Sequence, residues 1–284
     1  MKFFYTNGPE VKDFIYAMPY DAVSQQGLTY ARFRTWRRGQ NNNGFYSIEM
    51  TNSVGGNFAL TPEFSKLFSL AGDRRNDCIA GDGTAETTDI YQYDNVTGEP
   101  TTVRNNYKGE EVTFTRSITL LENGEDQLNT GAAMTGWTQG YRSIKFFPNI
   151  TEYNTYSRNQ SNDVPIFRYA DILLMKAEAI VRGGAQTSTG ISGCDDATSL
   201  FNQIRSYAGA PTISTTPSLQ DIEDERGREF LDEHWRRNDL IRMGHFERSW
   251  GFKSLGSSDA KMRLWPLSID VLNSNTNWTQ NAGY

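Results

Sequence analysis

Two kinds of hydrophobic pattern divide the chain. Over residues 1–160, apolar positions come in short runs between turn-forming residues. Val112, Phe114, Arg116, Ile118 and Leu120 alternate onto one face, four of the five apolar, which predicts a strand. Asn41-Asn42-Asn43-Gly44 reads as a turn leading into a strand at Phe45-Tyr46-Ser47-Ile48. Pro62 opens a predicted helix that carries Phe64, Leu67, Phe68 and Ala71 on one stripe.

From residue 163 the spacing becomes helical. Asp163-Val164-Pro165 predicts a helix start with proline in the first turn, followed by Ile166, Ala170, Leu173, Leu174, Ala177 and Val181 on one face. Gly183-Gly184 stops it. A second helix is capped at Asp195-Asp196 and places Ala197, Leu200, Phe201, Ile204 and Ala208 on its apolar stripe. A third runs from Thr216-Pro217-Ser218 toward Met243. Two helices joined by a short glycine-containing turn resemble one unit of a helical repeat, which cannot bury its own face alone. Either residues 1–160 or a preceding segment is expected to cover it. Beyond Gly251 the periodicity ends in an Asn-rich tail, Asn273 to Tyr284. Its region carries Trp265, Trp278 and Tyr284, so it is expected to dock rather than extend into solvent.

Composition narrows the function classes. The chain of 284 residues carries a net charge of −6. That opposes the basic field of a nucleic-acid binder, so none is expected as a partner. Mean hydropathy is −0.62, and no apolar run approaches the roughly 20 residues of a spanning helix. No secretory signal or lipid anchor is recognisable in this chain. Cys78 and Cys194 lie far apart and outside metal-ligand spacing; two buried thiols or one disulfide fit them. With only His234 and His245 beside them, no zinc site is expected. Asp82, Glu86 and Asp89 lack the regular spacing of a calcium loop. No metal, cofactor or catalytic motif is expected.

Three groups of residues could carry chemistry. The third helix interrupts an apolar stripe with Arg226, Glu229 and Glu233. A glycosidase needs two carboxylates in different environments across a sugar. Glu229 and Glu233, one predicted turn apart and beside Arg226 and Arg236 or Arg237, fit that poorly. They read instead as a structural ion network of Arg226, Glu229, Glu233 and Arg236. The second group runs from Tyr30 to Tyr46. Tyr30, Arg34, Trp36, Asn43 and Tyr46 combine flat apolar faces with hydrogen-bonding groups, which suits a sugar's C–H face and its hydroxyls. A packed core containing Phe33 and Trp36 is the alternative. Trp137, in the run Gly136-Trp137-Thr138-Gln139-Gly140, joins these as a candidate glycan contact.

Several stretches resemble the SusD/RagB family. They are Pro165 to Ala179, Phe201-Asn202-Gln203-Ile204-Arg205, Glu225-Arg226-Gly227-Arg228-Glu229-Phe230, and Glu233 to Arg242. The ending from Trp265-Pro266-Leu267 to Gly283-Tyr284 is similar as well, and Ile15 to Asp21 and Asp73-Arg74-Arg75 agree more loosely. The resemblance implies a mainly α, SusD-like helical fold with long irregular loops and short β-strands. It makes 1–284 one C-terminal domain, with a loop- and strand-rich part (1–160), a helical part (163–247) and a docked tail (248–284). It implies a surface-exposed outer-membrane lipoprotein of bacteria that binds glycans without cleaving them and delivers them to a SusC-like TonB-dependent transporter. The competing readings are a helical-repeat scaffold or peptide-binding protein, and a glycoside hydrolase using Glu229 and Glu233.

Overall fold

The computed structural model describes residues 11–26, 58–80, 89–93, 100–104, 106–107, 110–111, 114–120, 130, 139–143, 145–146, 150–157, 159–186, 188, 190–249 and 257–284. It falls into two compact units, Met1–His234 and Trp235–Tyr284. That division lies inside the expected helical part.

The first unit is helical at its core, with short strands at its margin. β1 (Phe14–Met18), α1 (Pro62–Ser65) and a 3-10 turn (Arg74–Cys78) lead into β2 (Ile79–Ala80). The short strands β3 (Asp89–Tyr93) and β4 (Pro100–Arg104) pair antiparallel, as do β5 (Asn106–Tyr107) and β6 (Glu110–Glu111). β7 (Arg142–Ser143) pairs with β2. Then come α2 (Ile150–Thr155), β8 (Val164–Arg168), α3 (Tyr169–Val181), α4 (Ala197–Ala208) and α5 (Leu219–Glu229).

α3 packs against α4 and α5. Leu174, Ala177, Leu200, Phe201 and Ile222 are fully buried where these helices meet. Each large side chain there contributes about 1.5–3 kcal/mol relative to exposure. The stripe expected on α4 is the buried one, from Ala197 through Ala208, joined by Arg205. Its ends are chemically marked. The Asp196 carboxylate accepts from Ser199 N at 2.9 Å, and Gly209 closes the helix at φ +77°. α5 opens on a capping box, in which Ser218 Oγ accepts from Asp221 N at 3.1 Å and Asp221 Oδ2 accepts from Ser218 N at 2.8 Å.

Three expectations are corrected. Residues Val164–Arg168 form strand β8 before α3 begins at Tyr169. Among the described residues β8 pairs with β1 alone, so Pro165, opposite Ala17, lies at a sheet edge where its missing N–H is tolerated. The expected third helix is two helices, α5 ending at Glu229 and α6 (Arg236–Met243) in the second unit. Between them Asp232 and His234 take φ of 58° and 64°, which no α-helix accommodates. Finally, residues 114–120 form no strand beyond an isolated bridge of Thr115 to Gln139. Side chains make that connection instead: Arg142 lies 5.1 Å from the Phe114 ring centroid, and Arg116 5.1 Å from that of Tyr141. Val112, like the strand expected at Phe45–Ile48, lies outside the described residues.

The second unit contains α6, a 3-10 segment (Ser257–Arg263) and α7 (Ile269–Ser274). Its tail is fixed by polar groups. Gln280 exchanges hydrogen bonds with the Leu267 backbone at 2.8 and 2.9 Å, Asn281 donates to Trp265 O at 2.7 Å, and the Tyr284 hydroxyl donates to Leu264 O at 3.0 Å. Trp265, Trp278 and Tyr284 stay exposed, although the Tyr284 hydroxyl is among the groups that fix the tail. Arg237 covers one face of Trp265 at 4.8 Å. Among the described residues, no helix is long and apolar enough to cross a membrane.

Candidate functional site

The chemistry-bearing residues described in the first unit converge on one buried lattice of ions. Glu225 and Glu229, one turn apart, project from the last turn and a half of α5. Glu233 follows in the turn beyond, its backbone N–H donating to Phe230 O at 3.0 Å. The cations facing them come from elsewhere in the chain. Arg75, on the 3-10 turn, donates to Glu225 Oε1 at 2.7 Å and to Glu229 Oε2 at 3.0 Å. It is held in place by Asp73, whose carboxylate accepts from Arg75 Nε at 2.9 Å and from Nη2 at 2.7 Å. Arg168, the last residue of β8, donates to Glu229 Oε1 from both terminal nitrogens at 2.6 and 2.7 Å, and to Glu233 at 3.0 Å from Nε and from Nη2. Lys145 pairs with Glu233 and donates to Glu229 O at 2.7 Å. Arg205 and Arg228 complete the shell around Glu225 at 2.6 and 2.8 Å.

Asp13 closes the opposite side. It accepts from Arg168 Nη1 at 2.9 Å and from Ala170 N at 3.2 Å, so it ties β1 to the start of α3. Among the described residues the lattice sets Arg75, Lys145, Arg168, Arg205 and Arg228 against Asp13, Asp73, Glu225, Glu229 and Glu233. The Phe230 ring lies between Arg168 and Arg226, at 5.1 and 4.8 Å from their guanidinium carbons. Arg226 pairs with Asp171 of α3 at 2.6 Å.

Electrostatics separates the carboxylates. Burial raises the pKa of Glu229, but the fields of Arg168, Arg75 and Lys145 outweigh it and hold the group below its ordinary value. Asp13 is displaced the other way: burial lifts it, Arg168 offsets only part, and Glu229 and Glu233 add repulsion. Burial also opposes the charge on Arg75 and Arg168, yet their carboxylate partners raise both above the ordinary arginine value. A cavity of about 580 Å³ opens onto the lattice, lined in part by Asp13, Arg75, Lys145, Arg168 and Glu229.

The sequence reading pointed to Glu229, Glu233 and Arg226 in this region, and the structure gives Glu229 and Glu233 cations that were not anticipated. Arg75, Lys145 and Arg168 neutralise them. Arg236 opens α6 in the second unit. Only the run Asp73-Arg74-Arg75 hinted at the 3-10 turn; nothing local marked Asp13 or Lys145. The candidate glycan contacts Tyr30, Arg34, Trp36, Asn43, Tyr46 and Trp137 lie outside the described residues, as do Asp82 and Glu86. No cluster of potential metal ligands occurs among the described residues. Cys78 and Cys194 are buried and form no disulfide with each other.

Comparison with known proteins places the chain as a whole. A sequence profile described as the SusD family matches residues 12–284. The starch-binding protein SusD of Bacteroides thetaiotaomicron is 32% identical over 161 residues, which cover 54% of this chain and 27% of that protein. The SusD-like protein P38 of Formosa agariphila is 30% identical over 156 residues, covering 51% of this chain and 27% of that one. Among solved structures, a laminarin-binding SusD-like protein superposes over 100% of this chain and 54% of its own, with a TM-score of 0.60 at 20% identity. Surface glycan-binding protein A from Bacteroides uniformis covers 99% of this chain and 52% of its own, with a TM-score of 0.58 at 19% identity. These two share the fold. The chain thus spans about half the length of the solved structures and matches about a quarter of each curated relative.

Proposed function

The chain belongs to the SusD family, and on that premise we propose that it binds glycans at the bacterial outer-membrane surface, without cleaving them, for delivery to a SusC-like TonB-dependent transporter. The observation that carries the non-catalytic part is the saturation of Glu229 and Glu233. Both carboxylates share Arg168, and Glu229 is held low by three cations. A glycosidase acid must keep a proton near neutral pH, and Glu229, held low by its cations, does not. The names of the curated and solved relatives, which specify starch, laminarin or glycan binding, support a carbohydrate ligand.

The platform proposed for that ligand is Tyr30, Arg34, Trp36, Asn43, Tyr46 and Trp137. Aromatic faces would stack on sugar C–H faces while Arg and Asn bond the hydroxyls. Calorimetric titration with a panel of soluble polysaccharides tests it, with Trp36→Ala and Trp137→Ala in parallel. Binding to one glycan class, abolished by either change, is the expected result. A folded chain that binds none would move the function to a protein-docking scaffold.

One observation offers a hydrolase a different carboxylate pair from the expected Glu229 and Glu233. Asp13 and Glu229 contact the same Arg168 nitrogen, line the same cavity, and have pKa values displaced in opposite directions. Release of reducing ends that disappears in Asp13→Asn would establish hydrolysis.

A further inference from the structure

The cavity beside the ion lattice carries two further cations. Lys12 and Arg74 also line the cavity, and neither has a carboxylate within ion-pair distance among the described residues. Lys12 is exposed. Arg74 donates only to backbone carbonyls, those of Tyr207 and, at 3.4 Å, Ala208. Asp77, the carboxylate whose ionisation Arg74 assists, is not part of the lining.

Beside Arg74 stands an open aromatic face. Tyr207, near the end of α4, is 76% exposed, lines the cavity, and has the Arg74 guanidinium 6.0 Å from its ring centroid. Its position is fixed from below by two glycines. Gly209 (φ +77°) and Gly72 (φ +76°) bring their backbones so close that a Cβ on either would meet the other's carbonyl oxygen at 2.8 or 3.0 Å. The 3-10 turn carrying Arg74 is thereby set against the helix end carrying Tyr207. Behind the rim, Val11, Ala208 and Leu231 give the cavity an apolar component. Its volume of about 580 Å³ falls within the roughly 300–1,000 Å³ usual for small-ligand sites.

We propose that Lys12, Arg74 and Tyr207 form a subsite for an acidic sugar residue, one bearing a carboxylate or a sulfate. The sugar's C–H face would lie on Tyr207, and its anionic group would pair with the two cations, which have no ion-pair carboxylate among the described residues. This deepens the glycan-binding reading and rests on it. A neutral sugar would leave both cations facing water, so the site discriminates by charge.

The test is calorimetric titration of the chain with three probes: a short oligogalacturonide, a sulfated galactan oligosaccharide and a neutral galactan oligosaccharide. At least one acidic probe is expected to bind about tenfold more tightly than the neutral one, with an advantage that shrinks as salt is added. Lys12→Gln and Tyr207→Ala, both at exposed positions, each reduce that advantage, whereas Lys12→Arg keeps it. Lys66→Gln, an exposed lysine outside the lining, leaves it unchanged and so separates the subsite from diffuse attraction of polyanions. Whether the uronate or the sulfated probe responds identifies the anion. Equal affinity for acidic and neutral probes overturns the subsite while leaving glycan binding intact. An acidic preference that survives Lys12→Gln and Tyr207→Ala overturns it as well. If none of the probes binds, nor any member of the polysaccharide panel, both readings fall.

Discussion

Arg168 and Glu233 meet through two hydrogen bonds of 3.0 Å although 65 residues separate them in the chain. The contact joins the end of β8 to the turn after α5, and both side chains are almost fully buried. A buried pair of this kind adds little net stability over an apolar replacement, but removing one partner strands the other charge. Arg168→Ala leaves Glu229 and Glu233 each short of a cation. The expected loss is about 3–5 kcal/mol, read as a lower urea midpoint with an unchanged slope.

The opposed shifts of Glu229 and Asp13 predict a characteristic pH response. Glu229 is depressed in the fold, so its stabilisation is full above the ordinary glutamate value of 4.5 and disappears as pH falls through its lower folded pKa. Asp13 is raised, so its stabilising contribution is complete below the ordinary aspartate value of 3.8 and is lost as pH rises through its higher folded pKa. Urea unfolding followed across that acidic range should therefore show Asp13→Asn removing the loss on the rising side. Glu229→Gln should remove the loss on the falling side. Parallel profiles for wild type and Asp13→Asn would contradict this account.

Gly209→Ala tests the close approach that positions Tyr207 and Arg74. The residue needs φ +77° and has no room for a Cβ beside Gly72 O. The left-handed backbone alone costs about 1–2 kcal/mol, and the steric conflict adds to it. Gly190 has a similar φ of +69° but open space around it, so Gly190→Ala should show the backbone cost without the clash. Thermal unfolding of the two variants separates them.

The Cys78 thiol should be nearly inert in the folded protein. Burial pushes its pKa up to about 12, partly offset by Lys145, and only the thiolate reacts readily. Disulfide-exchange reagents at pH 8 should therefore label it slowly in buffer and quickly in denaturant. Rapid labelling of Cys78 in buffer would show that the segment after the 3-10 turn opens without global unfolding.

The sequence by itself determined the local parts. Helical spacing and the cap at Asp195-Asp196 specified α4 through Ala208 and the core side of α3, because a period of 3.6 and a side chain that accepts a backbone N–H are local properties. The block from Glu225 to Arg242 carried the family resemblance for the same reason: its residues are contiguous. Tertiary structure decided the rest. Pro165 reads as a helix start until β1, about 150 residues earlier, is laid beside it and makes a strand the better use of its backbone. The third helix breaks after Glu229, where Glu229 and Glu233 turn toward cations on other elements. Those cations could not be read from Glu229's neighbours: Arg75 lies 154 residues away from it and Lys145 lies 88 residues from Glu233. Ion pairing depends on distance in space, and sequence spacing reports that only within one helix or strand.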